Sequence, residues 1–146
     1  KLLQNCDRGG VMVKKYDVTF FDLDVGAPSA TIAEYGVSLN VAASRFISEW
    51  KYGKLGYDKT RKLIVIHVHN NDLLSDGSFL ISDKVTNNGY VRINSRDFVR
   101  TVSQYCEVAL TPSFRCLAEW DPDENYLVIH LNKVLDTSKI SEQNTQ

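Results

Sequence analysis

Small or apolar positions alternate with polar ones over residues 29–35 (Ser-Ala-Thr-Ile-Ala-Glu-Tyr), which reads as a short strand, and Gly36 then marks a tight turn or kink into Val37-Ser38-Leu39. From Asn40 the period lengthens. Val41, Ala42, Ala43, Phe46, Ile47 and Trp50 recur at helical spacing, and the Asn40 side-chain oxygen can accept from the free amides of a first turn, so a helix is predicted from about 41 to 50. Residues 54–58, the polar turn Asp58-Lys59-Thr60-Arg61 and the apolar run Leu63 to Val68 then predict a hairpin. Upstream, residues 13–22 alternate imperfectly through Tyr16, Val18, Phe20 and Phe21 and predict one more strand, ended by the Gly26-Ala27-Pro28 break.

The same order then returns. After a polar connection at 70–76, a strand fragment at Phe79-Leu80-Ile81 and an Asn87-Asn88-Gly89 turn, the chain writes Gly89-Tyr90-Val91-Arg92-Ile93-Asn94. Asn94 or Ser95 can cap a helix whose apolar face carries Phe98, Val99 and Val102, with Arg96 and Arg100 one turn apart on another face. Residues 104–113 are irregular, with Val108-Ala109-Leu110 as a candidate added strand, before a last hairpin of 114–120 and 125–131 around Asp121-Pro122-Asp123-Glu124. The closing phrases correspond: Tyr57-Asp58 then Leu-Ile-Val-Ile-His-Val, and Trp120-Asp121 then Tyr-Leu-Val-Ile-His-Leu.

Two copies of one supersecondary unit constrain architecture more than chemistry. The expected fold is α+β, a mostly antiparallel barrel-like sheet built from two pseudo-repeated strand-helix-hairpin units, residues 29–69 and 86–131, inside a single domain over 13–131. Residues 132–146 are expected to be a polar tail. The only methionine is Met12, so residues 1–12 are expected to be an upstream or appended extension.

Composition narrows the setting. A chain of 146 residues with 43% hydrophobic positions can bury one sizeable core, and a formal net charge of −1 neither attracts nor repels polyanions as a whole. Cys6, Cys106 and Cys116 are odd in number and lack Cys-x-x-Cys spacing, which favours a reduced setting. The apolar runs fall far short of the roughly 20 residues of a membrane span. A cytoplasmic protein that does not enter the membrane is expected.

The repeated unit resembles the strand-helix-hairpin element of the AbrB-like transition-state regulators and the related MraZ proteins. The matching residues are 31–40, the helix from Val41 to Ile47, then 55–58 and 63–66; in the second copy they are 89–94, the Phe98 helix, 118–121 and 127–129. The resemblance implies a swapped-hairpin barrel made from two such units and a DNA-binding regulator. Asn40 and Asn94 stand where the family usually has a proline before the helix.

Charge distribution supplies the functional hint. Residues 45–62 hold Arg45, Lys51, Lys54, Lys59, Arg61 and Lys62 against Glu49 and Asp58, and residues 84–115 hold Lys84, Arg92, Arg96, Arg100 and Arg115 against Asp97 and Glu107. Residues 116–146 are acidic. A basic face near Tyr52, Tyr57 and Tyr90 suits phosphates, arginine forks gripping oxygens while rings stack on bases. Lys54, Lys59, Arg61, Lys62, Arg92, Arg96 and Arg100 are therefore the candidate nucleic-acid contacts, weighed against a plain solvated surface.

His67, His69 and His130 raise the question of a zinc-like site, but nothing is spaced to complete a ligand set, and no metal or cofactor is expected. Asp22, Asp24, Asp121, Asp123 and Glu124 suit strand ends and turns better than a cation site. No Gly-x-Ser-x-Gly elbow, phosphate-cradling lysine loop, metalloprotease helix or cysteine with a neighbouring histidine is present, so an enzyme is not expected. The leading expectation is a non-enzymatic regulator that binds nucleic acid. The alternative is an interaction protein, of the kind a mobile element encodes, that binds a host protein or sequesters an anionic small ligand. A homodimer through exposed strand edges is the expected assembly for either.

Overall fold

A computed structural model describes residues 15–20, 26–71 and 77–135. The alternation at the start of the first unit becomes β1 (Ser29–Ala33) and β2 (Gly36–Leu39), followed by α1 (Val41–Ile47), β3 (Tyr52–Asp58) and β4 (Leu63–His69). Next come β5 (Phe79–Leu80), a 3-10 turn (Ile81–Lys84), β6 (Arg92–Asn94), α2 (Arg96–Cys106), β7 (Phe114–Asp121) and β8 (Tyr126–Leu135). All eight strands pair antiparallel in one sheet, in the order β5-β3-β4-β8-β7-β1-β2-β6, which curls into a half-barrel. The α+β class and the barrel-like sheet therefore hold.

The inner face is set by cross-strand register. Ile64 lies opposite Ile129, Ile66 opposite Leu127, Ala118 opposite Ile129, Cys116 opposite Ala30, Ala30 opposite Leu39 and Val37 opposite Ile93. Each is buried. Residues opposite one another in a ladder leave the sheet on the same side, so these pairs make one continuous apolar layer. Ala43 and Ile47 of α1 and Val99, Val102 and Cys106 of α2 close over it, with Ile81 and Val91 filling the margin.

Both caps expected from the sequence form. Asn40 Oδ1 accepts from Ala43 N at 2.9 Å, and Ser95 Oγ accepts from Phe98 N at 3.2 Å, which settles the second helix start on Ser95 rather than Asn94. Asn40 does more than cap. Its Oδ1 also accepts from Ser29 N at 3.0 Å and its Nδ2 donates to Ala27 O at 2.7 Å, so one side chain ties the first helical turn to the entry of β1. Ser29 is buried, and losing both the cap and this partner is expected to make Asn40→Ala about 2 kcal/mol less stable in urea denaturation. A loss under about 0.5 kcal/mol would contradict the double role.

The hairpin tips are built alike. In the first, Asp58 Oδ1 accepts from Thr60 N and Arg61 N, both at 3.0 Å, and Lys62 adopts φ 57°. In the second, Asp121 Oδ1 accepts from Asp123 N at 3.0 Å and Glu124 N at 3.3 Å, and Asn125 adopts φ 59°. The carboxylate mimics a backbone turn and the left-handed residue reverses the chain. Each tip packs on a helix distant in sequence: Tyr57 stacks on Tyr105 of α2 at 5.9 Å, and Trp120 stacks on Phe46 of α1 at 5.8 Å.

Four expectations change. The helix predicted to about 50 stops at Ile47, because the chain must reverse into β3; Ser48 N still bonds Ser44 O, while Trp50 is freed to pack against Trp120. Within the strand predicted over 13–22, residues 15–20 form no strand and leave Tyr16, Val18 and Phe20 exposed; the rest of that stretch lies outside the described residues. Val108-Ala109-Leu110 is not a strand: Glu107 turns left-handed to end α2, Val108 N bonds Ser103 O and Ser103 Oγ donates to Val108 O, so the backbone of Val108 is spent on the helix terminus. The tail expected from 132 begins as strand, since β8 continues to Leu135 beyond a register shift opposite Cys116 and Leu117; residues 136–146 and the Met12 start lie outside the described residues.

The edges of the sheet are β5, of two residues, and β6, of three. β5 covers only Tyr52 and Gly53 of β3, so from Lys54 to Asp58 the outer side of β3 pairs with no further strand among the described residues and is open to one. Among the described residues no helix is long and apolar enough to cross a membrane.

Candidate nucleic-acid interface

The basic ground gathers where β6 runs into α2. Ser95 N donates to Tyr35 O at 2.9 Å, so the β1–β2 turn is bonded to the cap of α2 and the Tyr35 ring is held beside β6. The Arg92 guanidinium lies over that ring, 4.2 Å from its centre, while Arg92 Nε donates to Asn94 Oδ1 at 3.1 Å. A ring face and an amide hold the guanidinium and leave its charge uncancelled. Tyr35, Arg92, Asn94, Ser95, Arg96 and Asp97 line an open concavity of about 640 Å³.

Arg96 and Arg100 follow on successive turns of α2, and with Glu34 and Leu110 they line a smaller hollow of about 240 Å³. Acids are present here. Glu34 Oε2 accepts from Thr111 Oγ1 at 2.6 Å, and Asp97 lies 3.8 Å from Arg100 in a pair so exposed that it contributes little. Arg92 and Arg96 have no carboxylate partner among the described residues.

The remaining predicted contacts fall elsewhere. Lys59, Arg61 and Lys62 sit on the β3–β4 tip, which leans on the far end of α2 through Tyr57 and Tyr105; at 1.5 Å per residue, α2 spans about 16 Å. Arg61 is turned back on its own hairpin, its Nη1 3.1 Å from Asp58 Oδ2. The Arg61 backbone N–H, then its guanidinium, hold the Asp58 carboxyl below the usual carboxylate range. Lys54 points from β3 onto the outer sheet face, opposite His67, in a hollow shared with Tyr57 and Tyr126. The seven residues thus divide into Arg92, Arg96 and Arg100 together, the tip set apart, and Lys54 on the outer face of β3.

His67 and His69 lie side by side with ring centres 5.7 Å apart, but His130, four positions away along the β4–β8 ladder opposite Leu63, does not join them. His69 is engaged on both nitrogens, by Ser78 Oγ at 2.9 Å and by Asn71 N at 3.1 Å, and His130 Nε2 meets Glu119 Oε1 at 2.5 Å. His67 packs edge-on to Tyr126. Among the described residues no group of three or more histidine, cysteine, aspartate and glutamate side chains gathers as a metal site would require. Burial pushes the Cys116 thiol up to about 12 and raises that of Cys106, so both stay protonated and poor as nucleophiles at neutral pH.

Sequence reasoning passed over Tyr35, Thr31, Ser38 and Arg115, which line the concavities beside Arg92. Their signal was faint but present, since Thr31, Ser38 and Arg115 occupy the polar phase of β1, β2 and β7. No family model, no curated protein and no solved structure matches this chain.

Proposed function

We propose that this protein is a non-enzymatic regulator that binds nucleic acid, with the β6–α2 junction as its contact surface. The observation that carries the proposal is the open concavity flanked by Arg92 and Arg96, both without a carboxylate partner among the described residues, beside the hydrogen-bonding groups of Asn94 and Ser95. Arginine forks match phosphate oxygens, and a ring-supported guanidinium loses little freedom on binding them. Arg100 extends the same surface one helical turn further.

A duplicated swapped-hairpin architecture, of the kind built by AbrB-like regulators, is part of this proposal. Its support is the symmetry of the registers. Setting residues 63–68 against 126–131 makes the β4–β8 pairing reciprocal, since Leu63 opposite His130 corresponds to His67 opposite Tyr126, about the central pair Val65 and Val128. Leu131 N bonds Lys62 O and Val68 N bonds Asn125 O, both at 3.0 Å, which is again one contact made twice. The exchange of tips, Tyr57 on α2 and Trp120 on α1, follows the same rule.

Titration with a labelled duplex at rising salt tests the function. Three phosphates neutralised by Arg92, Arg96 and Arg100 imply a slope of log affinity on log salt near −2.7, or about a 40-fold loss between roughly 50 and 200 mM. No complex at the lowest salt would overturn the proposal. One observation favours the second reading, an interaction protein: Tyr16, Val18 and Phe20 stand 69%, 59% and 92% exposed along one short segment, as an apolar docking strand would. Recovery of a host protein that is lost on Phe20→Ser substitution would favour it.

A further inference from the structure

Three registers align on the outer face of the sheet. Arg115 of β7 lies opposite Thr31 of β1, Thr31 opposite Ser38 of β2, and Ser38 opposite Arg92 of β6. With neighbouring strands about 4.8 Å apart, the four residues form one lateral row about 14 Å long. Residues in register emerge on one side, and here it is the side away from the core: the neighbours along each strand, Ala30, Ile32, Val37, Ile93 and Cys116, are buried on the other. Two arginines therefore stand at the ends of a row whose middle is two hydroxyls.

The row floors a concavity of about 420 Å³, with Tyr35, Asn40 and Tyr90 around it and no carboxylate in its lining. That absence sets it apart from the hollow at Glu34. Arg115 has no ion-pair partner among the described residues, and Arg92 is fixed by Tyr35 and Asn94. Two arginines at the ends of the row with two hydroxyls between them, lining one basin free of acid, match an anion that presents several oxygens on both sides, which is the chemistry of phosphate.

We propose that Arg115, Thr31, Ser38 and Arg92 form a phosphate clamp that holds the backbone of a nucleic-acid strand laid across β7, β1, β2 and β6. The clamp rests on the nucleic-acid reading above and deepens it: the strand enters over Arg115, crosses the hydroxyls and reaches the start of α2 through Arg92, which belongs to both surfaces. Tyr90 stands beside the path, where a base can stack.

The test uses the full chain and three variants, with fluorescence anisotropy on single-stranded and duplex oligonucleotides of the same sequence. Arg115→Ala is expected to weaken binding about tenfold and to make the salt slope about 0.9 shallower, as loss of one phosphate contact requires. Arg115→Lys keeps the charge but loses the fork, and about a threefold loss is expected. Thr31→Val and Ser38→Ala change no charge; combined, they are expected to weaken binding about fivefold with the salt slope unchanged. Thermal melts check the fold of each, and the Arg115 pair, at an exposed position, carries the test if the hydroxyl variant is misfolded.

Wild-type affinity in Arg115→Lys and Arg115→Ala would overturn the clamp while leaving the β6–α2 surface standing. If the unaltered protein binds neither oligonucleotide, the nucleic-acid reading itself fails, and titration with inorganic phosphate and a mononucleotide, read on the arginine side-chain resonances, decides what is left. Saturable shifts lost in Arg115→Ala would then make the row a small-anion site and overturn its assignment to a strand; no shift would overturn the row altogether.

Discussion

Replacing Gly36 with alanine is expected to lower stability by about 3 kcal/mol or more, the largest effect of any single methyl group in this fold. Gly36 opens β2 opposite Asn94 of β6, and a Cβ built there overlaps the Ile93 carbonyl oxygen and crowds the Asn94 backbone. Its φ of 153° adds conformational cost for any other residue. The obstacle is backbone, which cannot rotate aside as a side chain can. Relief requires β2 and β6 to part, and with them go the contact of Ser95 N with Tyr35 O and the seating of α2.

Overpacking of this kind costs roughly 1–3 kcal/mol even where side chains can adjust, and a lost backbone hydrogen bond adds about 1 more. Against a total stability of roughly 5–15 kcal/mol that is a large share. Gly56→Ala is the matched control, because a Cβ at Gly56 meets nothing within 4 Å. Urea denaturation of both should separate them widely, and equal midpoints would show that close approach at Gly36 is not what holds these strands.

The second large effect concerns binding. Replacing Arg92, Arg96 and Arg100 together with alanine is expected to reduce duplex affinity about 100-fold near 100 mM salt and to flatten the salt dependence, since each lost phosphate contact removes about 0.9 from the slope. All three are exposed, so the melting temperature should move by no more than a few degrees. The corresponding change at Lys59, Arg61 and Lys62 is expected to cost much less, because Arg61 is already held by Asp58 and the tip lies at the other end of α2. Equal losses from both triple variants would mean that the ligand spans the whole helix rather than its start.

Elements with a strong local signal were legible residue by residue. Asn40 and the Leu63–Val68 run announced a cap and a strand, and Asp58 and Asp121 announced turns, because each of these depends on neighbours within a few positions. Tyr16 to Phe20 show the limit: the pattern suits a strand, but a strand exists only where a partner edge is free, and none takes it up among the described residues. Val108 to Leu110 failed for a related reason, as the backbone of Val108 is committed to ending α2.

The candidate surface shows the same division. Periodicity put Arg96 and Arg100 on one side of a helix, correctly, because helical spacing alone requires it. It also grouped them with Lys59 and Lys62, which share a charge but not a place.

What was written in local order, then, is the α+β class, the two caps, the hairpins and the basic character of β6 and α2, since hydrophobic period and side-chain capping act over one or two turns of chain. Packing alone brought Gly36 against Ile93, set Tyr35 beneath Arg92 and drew Arg115, Thr31, Ser38 and Arg92 into one row. Those meetings join residues tens of positions apart, and they follow from which strands pair and in what register, a choice made by the whole apolar layer at once.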